Sequence, residues 1–318
     1  MREPELVGAQ DFDTFLAAVR SAALARGIRV ATLDRALENL EPSATVIERD
    51  QTQAEVVLTV EQYVQRRLTR PLVRTARQME ANHRTLLARV GQQYGVSPRV
   101  IVSIWGLESN FGRFSGTRPT IQALATLAWE GRRGDFFTGE LLDALEIVDR
   151  GYIGLDQLRG SWAGAMGQPQ FMPSSYLKWA QDFDDDGDRD IWRSAPDVFA
   201  SIANYLKEHG WDEGMTWGRE VRLPSTGLAA LRDTVGMRDE GCRAEREMTK
   251  PLPLKEWQQL GVRTAAGRAL PTATIDASLI HTGKRAFLVY DNYEAILEYN
   301  CAHSYALAVG LLANRLGA

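Results

Sequence analysis

The sequence predicts a mainly α-helical protein, an α+β fold in which a small β-containing insertion interrupts a succession of helices. Two observations lead to this prediction. Apolar residues recur at helical spacing through most of residues 11–211 and again after residue 295. Between about residues 217 and 290, proline and glycine break the chain into short segments such as GREVRLP and KPLPLKEW.

Residues 1–94 are predicted to form an N-terminal helical domain. Its first helix is indicated by four apolar residues at helical spacing: Phe12, Phe15, Leu16 and Val19. It should end near Gly27, since glycine suits a helix C-terminal cap. A second helix is expected through three leucines: Leu33, Leu37 and Leu40. A long helix should then run over residues 60–94, with an interruption near Pro71.

Three further segments are predicted after the N-terminal domain. Residues 95–213 contain helical stretches between Gly-rich loops and most of the chemically suggestive residues, so this segment is the expected catalytic core. Residues 214–290 should form the small β-containing domain, in which AFLVYDNY (286–293) has the pattern of a strand and turn. Within residues 291–318, helical spacing from Ala295 to Leu316 predicts a C-terminal helix that packs back on the core.

Composition restricts the function classes. Lys and Arg total 37 against 41 Asp and Glu, a formal charge of -4, which argues against a nucleic-acid partner. No apolar run is long enough to span a bilayer, and MREPELVGAQDF lacks the apolar stretch of a signal peptide. We therefore expect either a cytosolic protein or one whose export signal was removed. Cys242 and Cys301 are compatible with two free thiols or with one disulfide.

One carboxylate stands out in SPRVIVSIWGLESNFG. Ser97 can cap a helix and Pro98 suits its first turn, after which Ile101, Ile104 and Trp105 form an apolar stripe. The next position on that face is Glu108, where a hydrophobic residue is expected. Desolvation and the negative end of the helix dipole would both raise the pKa of this carboxyl group, which suits a general acid. Alternatively, Glu108 ends the helix at the surface or pairs with Arg113 or Arg118.

Four segments occur in the order typical of one enzyme family. They are WGLESNFGRFSG, GSWAGAMGQPQFMPSSY at 160–176, IANYLKEHGW at 202–211 and YNCAHSYALAV at 299–309. The chain resembles membrane-bound lytic murein transglycosylases of type B over almost its whole length. The resemblance is weakest at the N terminus and in the β insertion. It implies a lysozyme-like helical core, an N-terminal helical domain and a small β domain.

The resemblance also implies a reaction. Members of the family cleave the β-1,4 bond between N-acetylmuramic acid and N-acetylglucosamine in peptidoglycan and form 1,6-anhydro-N-acetylmuramic acid ends, with one glutamate as the sole acid/base. That glutamate corresponds to Glu108. Six further residues correspond to the saccharide-binding positions: Ser161, Gln170, Tyr205, Tyr299, Asn300 and Tyr305. Amides, hydroxyls and tyrosine rings suit a sugar ligand, although Tyr205 and Tyr305 lie on helical stripes and could be core aromatics.

The acidic segment DFDDDGDRDIW matches the first positions of an EF-hand loop. Asp182, Asp184, Asp186 and Asp188 alternate around Gly187, so a structural calcium ion is predicted in preference to a solvated acidic turn. Arg193 occupies the position where an EF-hand has its closing glutamate. The resemblance implies a longer closure with Asp197 as the last ligand. No organic cofactor is expected.

Three functions remain open from the sequence: a lytic transglycosylase, a hydrolytic muramidase and a non-catalytic, calcium-dependent peptidoglycan-binding protein. The expected partner is the glycan strand, with no nucleic acid, and the expected state is a monomer. Because the substrate lies in the periplasm of Gram-negative cells, we expect a periplasmic protein, associated with the outer membrane if a lipidated N terminus was removed.

Overall fold

The computed structural model describes residues 11–52 and 58–317. The helices, in chain order, are α1 (Phe12–Ala25), α2 (Val30–Leu37), α3 (Ala44–Thr52), α4 (Val60–Arg67), α5 (Arg70–Asn82), α6 (Arg84–Tyr94), α7 (Pro98–Ser109), α8 (Thr120–Glu130), α9 (Gly134–Asp149), α10 (Pro173–Trp179), α11 (Ala195–Glu208), α12 (Gly227–Val235), α13 (Arg243–Arg246), α14 (Leu254–Gln259), α15 (Asp291–Tyr299) and α16 (His303–Leu316). The strands are β1 (Arg118–Pro119), β2 (Arg159–Gly160), β3 (Gly218–Arg222), β4 (Leu252–Pro253), β5 (Arg263–Thr264), β6 (Asp276–His281) and β7 (Ala286–Val289). The predicted mainly helical α+β fold is therefore confirmed.

The chain forms two compact units, each assembled from two stretches of sequence. Of the described residues, the first unit contains 11–52 and 108–202, and the second contains 58–107 and 203–317. The four segments predicted from the sequence (1–94, 95–213, 214–290 and 291–318) stay a prediction about domain organisation. No helix among the described residues combines the length and apolar character needed to cross a membrane.

The first unit is organised around the helix pair α8 and α9. Helix α1 packs against this pair, with the Phe12 ring edge-on to Trp129 at 5.5 Å between centroids. Helix α3 is attached through the buried carboxylate of Asp50, which pairs with Arg132 at 2.6 Å. A buried carboxylate needs such a partner because leaving it unpaired away from water is costly.

The second unit contains a β-sheet, whose strands all come from residues 214–290. Its five antiparallel strands lie in the order β4-β6-β7-β3-β5. One face of this sheet packs on a core that includes the fully buried Trp257, Leu279 and Leu288. The Trp257 indole N–H donates to the Ala277 carbonyl at 2.8 Å, which satisfies the polar atom of this buried ring.

Helix α16 packs against α4, α5 and α15 within the second unit. The contact with the β domain is close at Gly310, where an added Cβ would lie 2.4 Å from the Trp217 ring. Only glycine fits this position without displacing the indole.

Two of the predicted helices differ from the structure at their boundaries. Helix α2 ends at Leu37 and excludes Leu40, because Glu38 is extended and Asn39 has a left-handed φ of 53°. The segment 60–94 has a second interruption, at His83, in addition to the predicted one before Pro71. The His83 ring lies edge-on to Trp105 at 5.6 Å, a tertiary contact that helical periodicity does not reveal.

The C-terminal segment also differs. Residues after Tyr290 enter α15 directly, so the turn predicted within 286–293 is absent there. The single predicted C-terminal helix is two helices, because Asn300 (φ −155°, ψ 111°) and Ala302 (φ −147°, ψ 125°) adopt extended backbone between α15 and α16. Helical spacing continues through this break because both helices bury an apolar face.

Candidate active site

Glu108 lies one residue before the end of α7. The Ile101 N–H donates to the Ser97 carbonyl at 3.3 Å, so the helix begins where the sequence predicted. Ile101, Ile104 and Trp105 are buried on the predicted stripe, whereas Glu108 itself is half-buried. The carboxylate thus combines an apolar helical support with access to solvent, as a general acid requires.

A tight turn follows Glu108. Three successive residues have left-handed backbone: Asn110 (φ 48°), Phe111 (φ 61°) and Gly112 (φ 79°). This conformation is costly for the two residues with side chains, and such strain is concentrated at functional sites. The buried Ser109 stabilises the turn, because its hydroxyl accepts from the Gly112 N–H at 3.1 Å and its carbonyl accepts from the Phe114 N–H at 2.9 Å.

The loop 160–171 carries Ser161 and Gln170. It begins at β2, which pairs with β1 at Arg118↔Gly160, and Met166 forms bridges to Gly160 and Phe171. The Ser161 hydroxyl accepts from the N–H groups of Ala163 (3.3 Å) and Ala165 (3.1 Å). Ser161 is therefore held in place by its own loop.

Gln170 joins this loop to the turn after Glu108. Its backbone is left-handed (φ 55°), and its side-chain amide donates to the Gly167 carbonyl at 2.8 Å and to the Ser115 carbonyl at 3.3 Å. A Cβ added at Gly112 would lie 2.5 Å from the Gln168 Oε1 atom, so the two loops are in close contact. Glu108, Ser161 and Gln170 thus belong to one connected part of the first unit.

The other four predicted saccharide-binding residues belong to the second unit. The Tyr205 and Tyr299 ring centroids are 4.8 Å apart, and the Tyr299 and Tyr305 rings stack at 6.3 Å with an interplanar angle of 17°. Tyr205 is buried, donates its hydroxyl to the Glu298 carbonyl at 2.7 Å, and has its pKa raised by that burial. Tyr299 is half-buried and Asn300, in the extended link after α15, is exposed.

The acidic loop brings three of its predicted ligands together. Carboxylate oxygens of Asp182, Asp184 and Asp197 lie within 4.8 Å of one another. Asp186 and Asp188 are exposed and lie outside this group, with the Asp186 carboxylate accepting from the Asp188 N–H at 2.9 Å. Asp182 Oδ1 is buried and has no hydrogen-bond partner among the residues that the structure describes. Such an atom costs free energy unless a cation or water satisfies it. This donor set fits a hard cation with oxygen ligands.

Asp197 is the buried member of the group. Burial raises its pKa to about 6, and the neighbouring charges of Asp184 and Asp182 act in the same direction. The N–H groups of Phe183 and Asp190, each 2.8 Å from its carboxylate, oppose this rise. Three acidic groups so close together repel one another, and a divalent cation would relieve this repulsion.

A match to a family model shows which protein family this chain belongs to. Residues 11–314 match the model described as the Transglycosylase SLT domain. The chain belongs to this family. The match covers nearly all the described residues, so it includes both compact units.

Individual proteins of the transglycosylase family are similar over most of the chain. SltB3 from Pseudomonas aeruginosa, crystallised with NAG-anhNAM-pentapeptide, is 41% identical with a TM-score of 0.88 and covers 97% of this chain and 80% of its own. The Escherichia coli lytic transglycosylase Slt35 in complex with calcium is 27% identical with a TM-score of 0.79, covering 100% of this chain and 98% of its own. These neighbours confirm the lysozyme-like fold class.

A curated relative is the Membrane-bound lytic murein transglycosylase B of Escherichia coli (strain K12). It is 35% identical over 229 residues, a region that covers 70% of this chain. The chain spans 58% of the length of that relative.

Two structural features of this transglycosylase-family chain add to the sequence-based predictions. Cys242 and Cys301 form a disulfide with a Cα–Cα distance of 6.3 Å, which settles the alternative left open by the sequence. The second feature is Ser194, which donates its hydroxyl to Asp184 at 2.9 Å and accepts from the Asp197 N–H at 3.4 Å. The S-x-x-D spacing at the start of α11 is a capping signal that predicts this contact with Asp197.

Proposed function

We propose that this protein is a lytic transglycosylase that cleaves the β-1,4 bond between N-acetylmuramic acid and N-acetylglucosamine in peptidoglycan. The observation that supports this most directly is Glu108, a half-buried carboxylate at the end of a buried apolar helix, in a member of the transglycosylase family. SltB3, which is 41% identical, binds a peptidoglycan fragment that contains an anhydro-muramic acid. The same chemistry is proposed here.

Glu108 is proposed to act first as an acid and then as a base. It donates its proton to the glycosidic oxygen, while the N-acetyl group of the muramic acid stabilises the positive charge that develops at the anomeric carbon. The resulting carboxylate then takes the proton of the sugar's 6-hydroxyl, whose oxygen bonds to the anomeric carbon and closes the 1,6-anhydro ring. No water is consumed, so one carboxylate serves where a hydrolase needs two.

The remaining site residues are assigned to glycan binding. Ser161 and Gln170 offer polar atoms beside the turn that follows Glu108. In the second unit, the half-buried Tyr299 offers a ring face suited to a pyranose ring, and the buried rings of Tyr205 and Tyr305 pack beside it. Asn300 is exposed and carries an amide that pairs with hydroxyl or acetamido groups. Gln170 is proposed to couple saccharide binding to the acid, since its amide donates to the Ser115 carbonyl, just after the turn that follows Glu108.

Calcium is proposed as a structural ion held by Asp182, Asp184 and Asp197, and the crystal structure of Slt35 with calcium supports this choice. Asp186 and Asp188 remain predicted ligands. When bound, the ion would neutralise the repelling carboxylates and hold the loop before α11. The periplasm, where peptidoglycan lies, remains the proposed location, and the membrane-bound relative is compatible with association with the outer membrane.

Product analysis tests the proposed reaction. Purified sacculi digested by the protein should release muropeptides with 1,6-anhydro ends, which are lighter by one water than hydrolytic products and resist borohydride. Mass spectrometry before and after borohydride treatment distinguishes the two. Predominantly reducible ends would identify a hydrolytic muramidase, and bound but uncleaved glycan would identify a binding protein.

A further inference from the structure

Two adjoining cavities form a groove in the second unit, between helix α5 and the ends of α6, α7 and α16. Their volumes are about 620 Å³ and 350 Å³, and both are lined by Arg77 and Ala81. We call this feature the arginine groove, because its lining contains six arginines: Arg70, Arg74, Arg77, Arg84, Arg99 and Arg315. Its floor is apolar and includes Leu68, Val73 and Leu87.

The groove concentrates positive charge in a chain that is negative overall. Residues 58–107 contain eight arginines, no lysine and two carboxylates (Glu61 and Glu80), a formal charge of +6, whereas the whole chain carries -4. Glu80 is the single carboxylate among the groove's lining residues, and it lies 3.8 Å from Arg99. Among the described residues, Arg70, Arg74 and Arg84 form no ion pair within 4 Å and are exposed. Three of the groove's six arginines are therefore available to a ligand.

The arrangement of the arginines is fixed by the fold. Arg70, Arg74 and Arg77 recur at helical spacing along one face of α5, where like charges four residues apart weaken an isolated helix. Where the two cavities meet, the Arg77 guanidinium donates to the Arg315 carbonyl at 2.7 Å, and the Arg315 guanidinium donates to the Leu68 carbonyl at 2.9 Å. These bonds hold Arg77 and Arg315 in place, while Arg70, Arg74 and Arg84 are exposed.

An apolar floor with a guanidinium rim suits an anionic amphiphile better than a purely polar polyanion. Guanidinium groups bind phosphates with two parallel hydrogen bonds, and methylene groups next to the phosphate can bury against aliphatic side chains. A sugar polymer and the sugar-phosphate backbone of a nucleic acid both offer little hydrocarbon for such a floor. The complementary surface is one that presents phosphates above hydrocarbon.

We propose that the arginine groove is a binding site for anionic phospholipids, by which the protein associates with the surface of a membrane. Lipid phosphates would lie against Arg70, Arg74 and Arg84, with the adjacent methylenes over Leu68 and Val73. This surface is separate in sequence from Glu108, Ser161 and Gln170, so lipid binding and glycan cleavage are independently measurable.

Vesicle sedimentation with the full chain tests this proposal. The protein should sediment with vesicles of phosphatidylcholine and phosphatidylglycerol but not with pure phosphatidylcholine, and the bound fraction should fall as salt is raised, because screening shortens the Debye length from about 10 Å at 0.1 M to about 3 Å at 1 M. The double variant Arg70→Gln/Arg74→Gln should lower vesicle partitioning roughly 10- to 30-fold, because each basic residue near an anionic surface adds a similar amount to the free energy of membrane binding.

A matched control variant is Arg222→Gln/Arg268→Gln, which removes the same charge from exposed positions outside the groove. It should retain most of the binding, and both variants should retain glycan cleavage. The proposal is overturned if the two variants lose binding equally, if neutral and anionic vesicles bind alike, or if no vesicle binds. Binding of polyglutamate without vesicle binding would also overturn it and would indicate an acidic protein partner.

Discussion

The side-chain amide of Gln170 donates to the Ser115 carbonyl at 3.3 Å, across 55 residues of sequence, and so ties the loop that carries Ser161 to the turn that follows Glu108. The same amide donates to the Gly167 carbonyl at 2.8 Å. Both contacts require an N–H donor at this position. A carboxylate of the same shape would face two carbonyl oxygens instead.

Gln170→Glu should therefore disturb the active site. We expect a loss of about 1–3 kcal/mol in the free energy of unfolding, because two carbonyl groups lose their donor. We also expect at least ~10-fold slower release of soluble muropeptides. Gln157→Glu, the same change at an exposed position, serves as the control in both measurements. An active Gln170→Glu protein with an unchanged melting temperature would contradict the positioning role.

Removal of divalent cations should destabilise the protein. In the cluster of Asp182, Asp184 and Asp197, the buried Asp182 Oδ1 has no hydrogen-bond partner within residues 11–52 and 58–317, so calcium should raise the melting temperature of chelator-treated protein. A ligand at 100 times its dissociation constant contributes about 2.7 kcal/mol. Differential scanning calorimetry with and without calcium gives this difference.

Single variants of the acidic loop show which of its carboxylates bind calcium. Asp182→Asn and Asp184→Asn should abolish most of the calcium-dependent stabilisation, whereas Asp185→Asn, an exposed neighbour outside the cluster, should preserve it. Asp186→Asn and Asp188→Asn then report whether these two predicted ligands bind the ion. Equal responses to calcium in all five variants would mean that no specific site exists.

The buried carboxyl group of Glu140 makes stability depend on pH. Burial is the largest influence and raises the pKa of Glu140 above its ordinary 4.5, although the Ser174 N–H (2.9 Å) and hydroxyl (2.7 Å) oppose this. The folded protein therefore holds this proton more tightly than the unfolded chain. Its stabilising contribution is complete below pH 4.5 and is lost as pH rises through the raised pKa.

Urea denaturation at several pH values tests this dependence. The free energy of unfolding of the wild-type protein, relative to Glu140→Gln, should decrease as pH rises from 4.5 towards neutrality. Ser174→Ala removes one hydrogen bond that favours the charged form, so the decrease should become steeper. If the free energy of unfolding of wild type relative to Glu140→Gln stayed constant or grew with pH, the pKa of Glu140 would not be raised in the folded protein.

The Cys242–Cys301 disulfide should stabilise the second unit. It closes a loop with a sequence separation of 59 residues and holds the link that follows Asn300. Cys242→Ser/Cys301→Ser should lower the free energy of unfolding by roughly 2–4 kcal/mol and weaken binding of glycan fragments. Reductant should lower the melting temperature of the wild type and leave that of the variant unchanged. Two reactive thiols in the unfolded, unreduced wild type would refute the disulfide.

Much of the helical structure is predictable from the sequence, because apolar periodicity records which face of a helix is buried. The start of α7 and the place of Glu108 on its stripe follow from Ser97, Pro98 and the spacing of Ile101 and Ile104. Helix breaks are harder to predict. The interruptions at His83 and Asn300 preserve the apolar pattern, so the spacing alone suggests continuous helices.

The site itself is predictable only in part. Alternating aspartates predict a cation loop, but sequence spacing cannot show that Asp186 lies outside the cluster of Asp182, Asp184 and Asp197. The bond from Gln170 to Ser115 depends on a left-handed backbone at a residue other than glycine, which has no sequence signal. Likewise, the pairing of two distant cysteines depends on the fold of the whole second unit.

The role of Glu108 is tested most directly by the rate at which sacculi release anhydro-muropeptides. Glu108→Gln keeps the shape of the side chain but removes its transferable proton, so this rate should fall at least ~100-fold. Glu48→Gln, an exposed glutamate of the same unit, should match the wild type, with circular dichroism showing that both variants are folded. A folded Glu108→Gln protein that releases anhydro-muropeptides at a near-native rate would contradict the assignment of Glu108 as the acid/base.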